Sequence, residues 1–192
     1  MSQPPAKKQK TKDTIYNGED DENLEIVVET SDGTVHFVVK KWVMNMMSAT
    51  YRDSGGDTIE IKNYTPGQVR EWLQTFHPAR MTLPSPITME NAVDIMPIHF
   101  EWKVLTQLAE FQKMLSTAKN ISRPVLEMVM TPNSQFANCE SHVREIYDSG
   151  GIDMADYDLI PHQWMAETIH NLQIQLNAQR AAKTVRVTRP LR

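Results

Sequence analysis

Apolar residues occupy every second position over two neighbouring stretches near the start of the chain. The apolar positions of this alternation are Leu24, Ile26, Val28, Val35, Phe37 and Val39. Between the two stretches, residues 31–34 read Ser-Asp-Gly-Thr, a turn sequence whose glycine can adopt positive φ. The pattern predicts a β-hairpin, and the alternation of Ile59 and Ile61 within residues 58–62 predicts a third strand.

From residue 40 the apolar residues recur every three or four positions, which is the period of a helix with one buried face. Gly55 and Gly56 end the first helical segment, and Thr65, Pro66 and Gln68 begin the next with a capping-box sequence. Pro97 predicts an interruption of the third segment. The predicted stripes up to residue 116 are Val43, Met46, Met47, Thr50 and Tyr51, then Val69, Trp72, Leu73 and Phe76, then Ala92, Ile95, Met96 and His99, then Val104, Leu108, Phe111 and Leu115.

The helical pattern continues after a linker at residues 116–120. A short helix begins at Ser122 and Pro124, another spans residues 136–147, and a last one runs from about residue 161 to 179. The last helix carries Met165, Ile169, Leu172 and Leu176 on one stripe. We therefore predict an α+β domain over residues 23–116, an all-α extension over 117–179, and disordered tails at 1–22 and 180–192.

Charge is distributed unevenly along the 192 residues, which contain 20 basic and 24 acidic side chains. Both tails are basic, so the body between them is acidic, and an acidic body repels the phosphates of nucleic acids. Nucleic acid is therefore not an expected partner. The N-terminal lysines predict a nuclear localisation signal, although such clusters also occur in solvated tails. They are Lys7, Lys8, Lys10 and Lys12.

The only cysteine, Cys139, cannot form an internal disulfide, which favours a reducing compartment, the nucleus or the cytoplasm. The sequence contains neither a run of about 18 apolar residues nor an apolar N-terminal signal, so we expect no membrane span. Cys139 falls on an apolar helix face and is predicted to be a buried small hydrophobic residue.

Patterns typical of catalysis or of cofactor binding are missing from the sequence. No two of the six histidines are three to five residues apart, which argues against a zinc site, and His99 is predicted to be a core residue. Asp153, Asp156 and Asp158 lack the glycine and terminal glutamate of a calcium loop. The glycine pairs belong to no phosphate-binding fingerprint. We therefore predict a protein that is not an enzyme and has no cofactor or metal.

Several joints between the predicted elements match one known family in their order and spacing. Residues 37–41 (FVVKK) end the hairpin and residues 47–51 (MSATY) lie in the helical segment after it. TIEIKN, REWLQTFHPAR, PITMENAVDIM and QKMLS then come in turn. Together these segments resemble the BTB/POZ domain, particularly the small nematode BTB proteins with a short helical tail. Lys40, Tyr51 and His77 stand where the family usually has His, Phe and Tyr. The resemblance implies a three-stranded sheet with a helical cluster, and a protein-interaction function.

The resemblance also implies homodimerisation, because the first helix of BTB domains lies in the dimer interface. The composition of this helix agrees, since Val43 and Met44 point about 100° apart and so predict more than one apolar face. Methionine suits adaptable interfaces. The predicted dimer contacts are Trp42, Val43, Met46 and Met47.

Three kinds of interaction protein fit these patterns. The first is a homodimeric nuclear or cytoplasmic scaffold or regulatory subunit. The second is a substrate adaptor of a cullin-type ubiquitin ligase, with Ile87, Met89 and Glu90 as contacts, although Glu90 lies one residue later than the family's hydrophobic-x-Glu motif. The third is a monomeric adaptor resembling elongin C or the Skp family, which the helices after residue 116 do not favour.

Overall fold

The computed structural model describes residues 9–13, 23–76 and 84–187, and the chain divides into two compact units, Met1–Ala118 and Lys119–Arg192. The fold is mixed α+β, with the described strands in the first unit and helices in both. None of the helices within the described residues is both long and apolar enough to cross a membrane.

A four-stranded sheet forms one side of the first unit among the described residues. Its strands are β1 (Gln9–Asp13), β2 (Asn23–Thr30), β3 (Gly33–Lys40) and β4 (Thr58–Ile61), in the order β1-β3-β2-β4. β2 and β3 are antiparallel, and β4 returns parallel to β2. Ile26 lies opposite Phe37 on one side and Ile59 on the other, and all three side chains are buried. The predicted hairpin and third strand are thus confirmed.

Strand β1 corrects the prediction that residues 1–22 are disordered throughout. It pairs in parallel with β3, with Lys10 opposite Thr34 and Lys12 opposite His36. The edge of β3 away from β2 would otherwise present unpaired backbone groups, which can accept a further strand whatever its side chains. Side-chain pattern alone therefore did not indicate this strand, and the remainder of the predicted tail lies outside the described residues.

Five α-helices accompany the sheet in the described part of the first unit. They are α1 (Lys41–Met47), α2 (Ala49–Ser54), α3 (Pro66–Gln74), α4 (Ala92–Glu101) and α5 (Leu105–Thr117). Buried residues of α1 to α4 and one face of the sheet form a single apolar core that includes Leu24, Phe37, Met44, Trp72 and Ile95. The capping box at Thr65 and Gln68 is present, as predicted.

The segment predicted as one helix over residues 40–54 is two helices, because Ser48 adopts an extended conformation with φ −108° and ψ 116°. The Ser48 hydroxyl accepts a hydrogen bond from the Tyr51 amide (3.1 Å) and so caps α2. The same hydroxyl donates to the Trp102 carbonyl oxygen (2.6 Å), 54 residues further along the chain. This remote partner favours the break over a continuous helix.

Helix α4 runs unbroken through Pro97, where an interruption was predicted. The residues on either side of Pro97, Met96 and Ile98, are completely buried. Packing of this face outweighs the local cost of the missing hydrogen bond, because most helix stability in proteins comes from tertiary contacts.

The second unit is built from α6 (Arg123–Met130), α7 (Glu140–Asp148), α8 (His162–Val187) and two short 3-10 helices, Ala137–Cys139 and Met154–Leu159. The predicted helix over residues 136–147 is thus a 3-10 turn followed by α7. Helix α8 extends eight residues beyond its predicted end at 179, so most of the predicted C-terminal tail is helical. No glycine or proline occurs between residues 162 and 187 to stop it.

Gly151 is required by a close backbone approach within the second unit. A Cβ atom at this position would lie 2.0 Å from the Lys119 carbonyl oxygen and 2.7 Å from Ile146 Cγ2. The carbonyl oxygen of Gly151 accepts a hydrogen bond from the Ile121 amide (3.3 Å). The contact joins the start of the unit to the turn after α7, and only glycine fits there.

Candidate functional site

Helix α1 presents two contrasting faces. Val43 and Met44 are buried in the core of the first unit, whereas Trp42 and Met46 are 53% and 63% exposed. Trp42 and Met46 are four residues apart, so they lie side by side on the helix surface. We call this pair of side chains the α1 surface.

The structure changes the predicted set of dimer contacts. Val43 is 2% exposed and belongs to the core of its own unit, so it cannot contact a partner in this conformation. Met47 is half-buried and packs against the same core. Val43 and Met44, which point about 100° apart on the helix, are both buried in this one core. Of the four predicted contacts, Trp42 and Met46 are on the surface.

The junction between α1 and α2 is fixed to the turn between α4 and α5. Besides the Ser48 bond to Trp102, the Thr50 hydroxyl donates to the Glu101 carbonyl oxygen (3.1 Å). The Ala49 amide donates to the Lys103 carbonyl oxygen (3.5 Å). These three bonds hold the end of α1 to a second segment of the first unit, so the position of the α1 surface is determined by long-range contacts.

Two exposed apolar residues on that second segment were not among the residues predicted from the sequence. Phe100 precedes the Glu101–Lys103 turn and Leu105 follows it, and both are exposed. A signal was available for Leu105, because it falls outside the stripe formed by Val104, Leu108, Phe111 and Leu115. Large apolar residues exposed near one another commonly mark an interaction surface.

The predicted cullin contacts occupy the segment that leads into α4. Ile87 is partly buried and packs against the core of the first unit, Met89 is half-buried, and Glu90 is exposed. The Thr88 amide donates to the Asn91 side chain (2.8 Å), and the Asn91 amide donates to the Thr88 hydroxyl (3.4 Å), which fixes the turn. A hydrogen bond from the Thr88 side chain lowers the pKa of the Glu90 carboxyl, so Glu90 is charged at neutral pH.

A cleft of about 340 Å³ opens in the first unit beside this segment. It is lined by Thr75, Pro84, Ser85, Pro86, Ile87, Gln107, Glu110, Lys113, Met114 and Thr117. Glu110 and Lys113 form an ion pair (3.5 Å), and the Gln107 side chain donates to the Thr75 carbonyl oxygen (3.1 Å). Several polar groups of the cleft therefore already bind one another, and its apolar lining includes Ile87.

His99 is a buried core residue, as predicted. Its Nδ1 accepts a hydrogen bond from the Trp72 indole (3.1 Å), so its Nε2 carries the proton and donates to the Thr75 hydroxyl (3.0 Å). The Thr75 hydroxyl donates in turn to the Trp72 carbonyl oxygen (2.7 Å). Burial lowers the pKa of His99 to about 3, so the imidazole is neutral. This closed network joins α3 to α4 and leaves His99 no lone pair for a metal.

The acidic residues near position 155 serve structural roles in the second unit. Asp153 accepts from the Ala155 amide (2.9 Å) and so caps a 3-10 helix. Asp156 and Asp158 both bind Arg123, at 2.9 and 3.0 Å, and these hydrogen bonds raise the pKa of the guanidinium. Among the described residues, no group of three or more His, Cys, Asp or Glu could hold a metal ion.

Cys139 is buried in the second unit, in agreement with its predicted role as a small core residue. It ends a 3-10 helix, and its thiol lies 3.7 Å from the Asn138 side-chain oxygen.

Of the predicted localisation lysines, Lys7 and Lys8 lie outside the described residues, and Lys10 and Lys12 belong to β1. A backbone paired in a sheet differs from the disordered segment on which the prediction depended. The localisation signal stays a prediction.

Comparisons of this chain with protein-family models, with curated proteins and with solved structures found no match.

Proposed function

We propose that this chain is a protein-interaction module of the BTB/POZ type that forms homodimers through the α1 surface and recruits other proteins without catalysing a reaction. The exposure of Trp42 and Met46 on a helix whose other face is buried carries the proposal. Two large apolar side chains on a firmly held helix are costly to leave in water, and their burial against a second copy would remove that cost.

The order of elements supports the BTB resemblance. An antiparallel hairpin, two short helices, a strand and a capped helix follow one another in the first unit. The serine within the MSATY segment caps α2 and binds the α4–α5 turn, which gives that element a physical role. Phe100 and Leu105, on either side of the same turn, are further exposed apolar side chains of the first unit.

Met46→Asp tests the proposal, because it places a charge where the dimer contact would exclude water. We expect the dissociation constant of the dimer to rise at least about tenfold, as measured by sedimentation equilibrium of the full chain. Met154→Asp is the matched control, since Met154 is an 81% exposed methionine of the second unit. Equal behaviour of the two variants would overturn the proposed interface. Because Met46 is exposed, the variant should keep its far-ultraviolet circular dichroism spectrum.

A substrate adaptor of a cullin-type ligase is the second candidate function. The observation that favours it is the exposed, charged Glu90 beside half-buried Met89 at the joint that such adaptors use. Ile87 lines the neighbouring cleft, so a partner side chain could reach it there. Capture of a purified cullin by wild-type protein, weakened by Glu90→Lys, would support this function. A dimer that captures no cullin would favour the scaffold, and a monomer that captures one would favour the elongin C-like adaptor.

A further inference from the structure

Helix α8 contacts α7 of the second unit through side chains of its first turns. Arg144 of α7 binds Glu167 (3.0 Å) and lies 5.1 Å from the centre of the Trp164 ring. Trp164 also lies 6.0 Å from the ring of Tyr147. Beyond these contacts, every side chain from Ile169 to Arg180 is exposed.

A helix exposed on all sides is expected to be polar on all sides, but this one is not. The stripe predicted from the sequence consists of Met165, Ile169, Leu172 and Leu176, and its last three residues are exposed. An isolated helical segment of this length is only marginally stable in water, since most helices depend on a packed apolar face. We therefore expect another apolar surface to cover the exposed stripe.

The flanks of the stripe point to a second copy of this chain as that partner. Residues 168–179 (TIHNLQIQLNAQ) contain no aspartate, glutamate, lysine or arginine. Two identical helices can thus approach along this face without like-charge repulsion, which otherwise opposes self-pairing. The positions beside the stripe include Gln173 and Gln175, whose amides both donate and accept hydrogen bonds and so complement themselves.

The spacing of the stripe also indicates the orientation of the pair. With Ile169 and Leu176 at the a positions of a heptad, Met165 and Leu172 occupy the d positions. Ile169 at a with Leu172 at d is the combination that favours a parallel two-stranded coiled coil, and Leu176 continues the apolar seam at the next a position. We propose that α8 of one chain pairs in parallel and in register with α8 of a second copy along Ile169, Leu172 and Leu176. This pairing goes beyond the α1 surface and does not depend on it.

Leu172→Glu and Ile174→Glu form a matched pair of test variants. The two residues are 59% and 54% exposed in the same helix, but Ile174 lies about 200° around the helix from Leu172 and away from the stripe. Both variants are made in the full chain carrying Met46→Asp, so that association through the α1 surface is suppressed. We expect concentration-dependent dimerisation of the Met46→Asp parent in sedimentation equilibrium. Leu172→Glu should raise the dissociation constant at least about tenfold, and Ile174→Glu should leave it within about twofold.

A monomeric parent, or equal effects of the two glutamates, would overturn the pairing. A monomeric parent would also be the result if the stripe instead docks on its own chain.

Oxidation of Leu172→Cys and Ile174→Cys variants tests the orientation of the two helices. The d positions of a parallel pair face each other, and Cys139 does not interfere because it is buried. A disulfide-linked dimer should form selectively at position 172, and cross-linking without that selectivity would overturn the parallel arrangement. The Met46→Asp and Leu172→Glu substitutions are compared with separate parents, so each dissociation constant reports on one interface. A lack of dimerisation through the α1 surface would therefore not be mistaken for a lack of pairing through α8.

Discussion

Helices α3 and α8 each carry a predicted apolar stripe, and the two stripes have opposite surroundings. The predicted stripe of each has four large apolar residues at spacings of three and four, and Phe76, the last residue of the α3 stripe, lies just beyond the end of that helix. In α3 the whole stripe is buried, with Trp72 and Leu73 completely enclosed, whereas in α8 the stripe from Ile169 onward is exposed. The periodicity thus indicates a face that needs to be covered, and it does not indicate what covers it.

The difference arises from what each helix finds within its own unit. The first unit offers α3 an apolar sheet face and the buried side of α4, and a polar network through His99 holds the two helices together. The other helices of the second unit are short, and α7 contacts α8 through Trp164 and Glu167 near the start of α8. A stripe that remains uncovered within its unit is then available for intermolecular contact.

The largest expected effect comes from truncating the covered stripe. Trp72→Ala removes a completely buried aromatic ring and its hydrogen bond to His99, and we expect a loss of roughly 3–5 kcal/mol of unfolding free energy. Leu172→Ala should change the unfolding free energy of the monomer by less than about 0.5 kcal/mol, because its side chain is already in water. Urea unfolding followed by circular dichroism at low protein concentration measures both. Comparable losses would mean that α8 is covered in solution.

Acidification should weaken the covered stripe by a smaller amount. Burial lowers the pKa of His99 from 6.5 to about 3, so between these values the unfolded chain binds a proton that the folded chain does not. The stabilisation is therefore fully present above pH 6.5 and is lost as the pH falls towards 3. Between pH 7 and pH 5 the contribution of His99 amounts to a loss of about 2 kcal/mol.

His99→Gln and His170→Gln distinguish this effect from general acid denaturation. His99→Gln removes the titrating group, so its unfolding free energy should fall less steeply from pH 7 to pH 5 than that of the wild type. His170 is exposed on α8, and His170→Gln should keep the wild-type slope. Identical slopes for the wild type and His99→Gln would show that protonation of His99 is not linked to unfolding.

The features that could be predicted from the sequence depend on neighbouring residues. The hairpin, the capping box and the α3 stripe each follow from side chains within a few positions of one another. The break at Ser48 depends on a carbonyl oxygen 54 residues away, and β1 depends on the free edge of β3. Neither the remote carbonyl oxygen nor the free strand edge can be recognised from neighbouring residues, so neither feature was predicted.

The candidate site also has features that follow from nearby residues and features that depend on distant ones. The apolar character of α1 was evident from its composition, but the side of the helix that faces water was not. Val43 was chosen and Phe100 was overlooked, because the choice depends on which elements enclose the helix. Similarly, the stripe of α8 was recognised, and its exposure and the extension of the helix to Val187 were not.

The smallest expected effect concerns the cap of α3, and it tests whether this helix depends mainly on packing. The Thr65 hydroxyl accepts from the Gln68 amide (3.3 Å), and the Gln68 side chain accepts from the Thr65 amide (2.9 Å). Thr65→Ala removes the first bond and should cost about 1 kcal/mol, whereas Thr65→Ser keeps an equivalent hydroxyl and should cost less. Urea unfolding of the two Thr65 variants and of Trp72→Ala measures the free energy of unfolding for all three. The contribution of the cap can then be compared directly with that of core packing. If packing defines α3, the cap variant loses only a fraction of what the core variant loses, and a cap effect as large as that of Trp72→Ala would mean that local sequence rather than the covered stripe holds the helix.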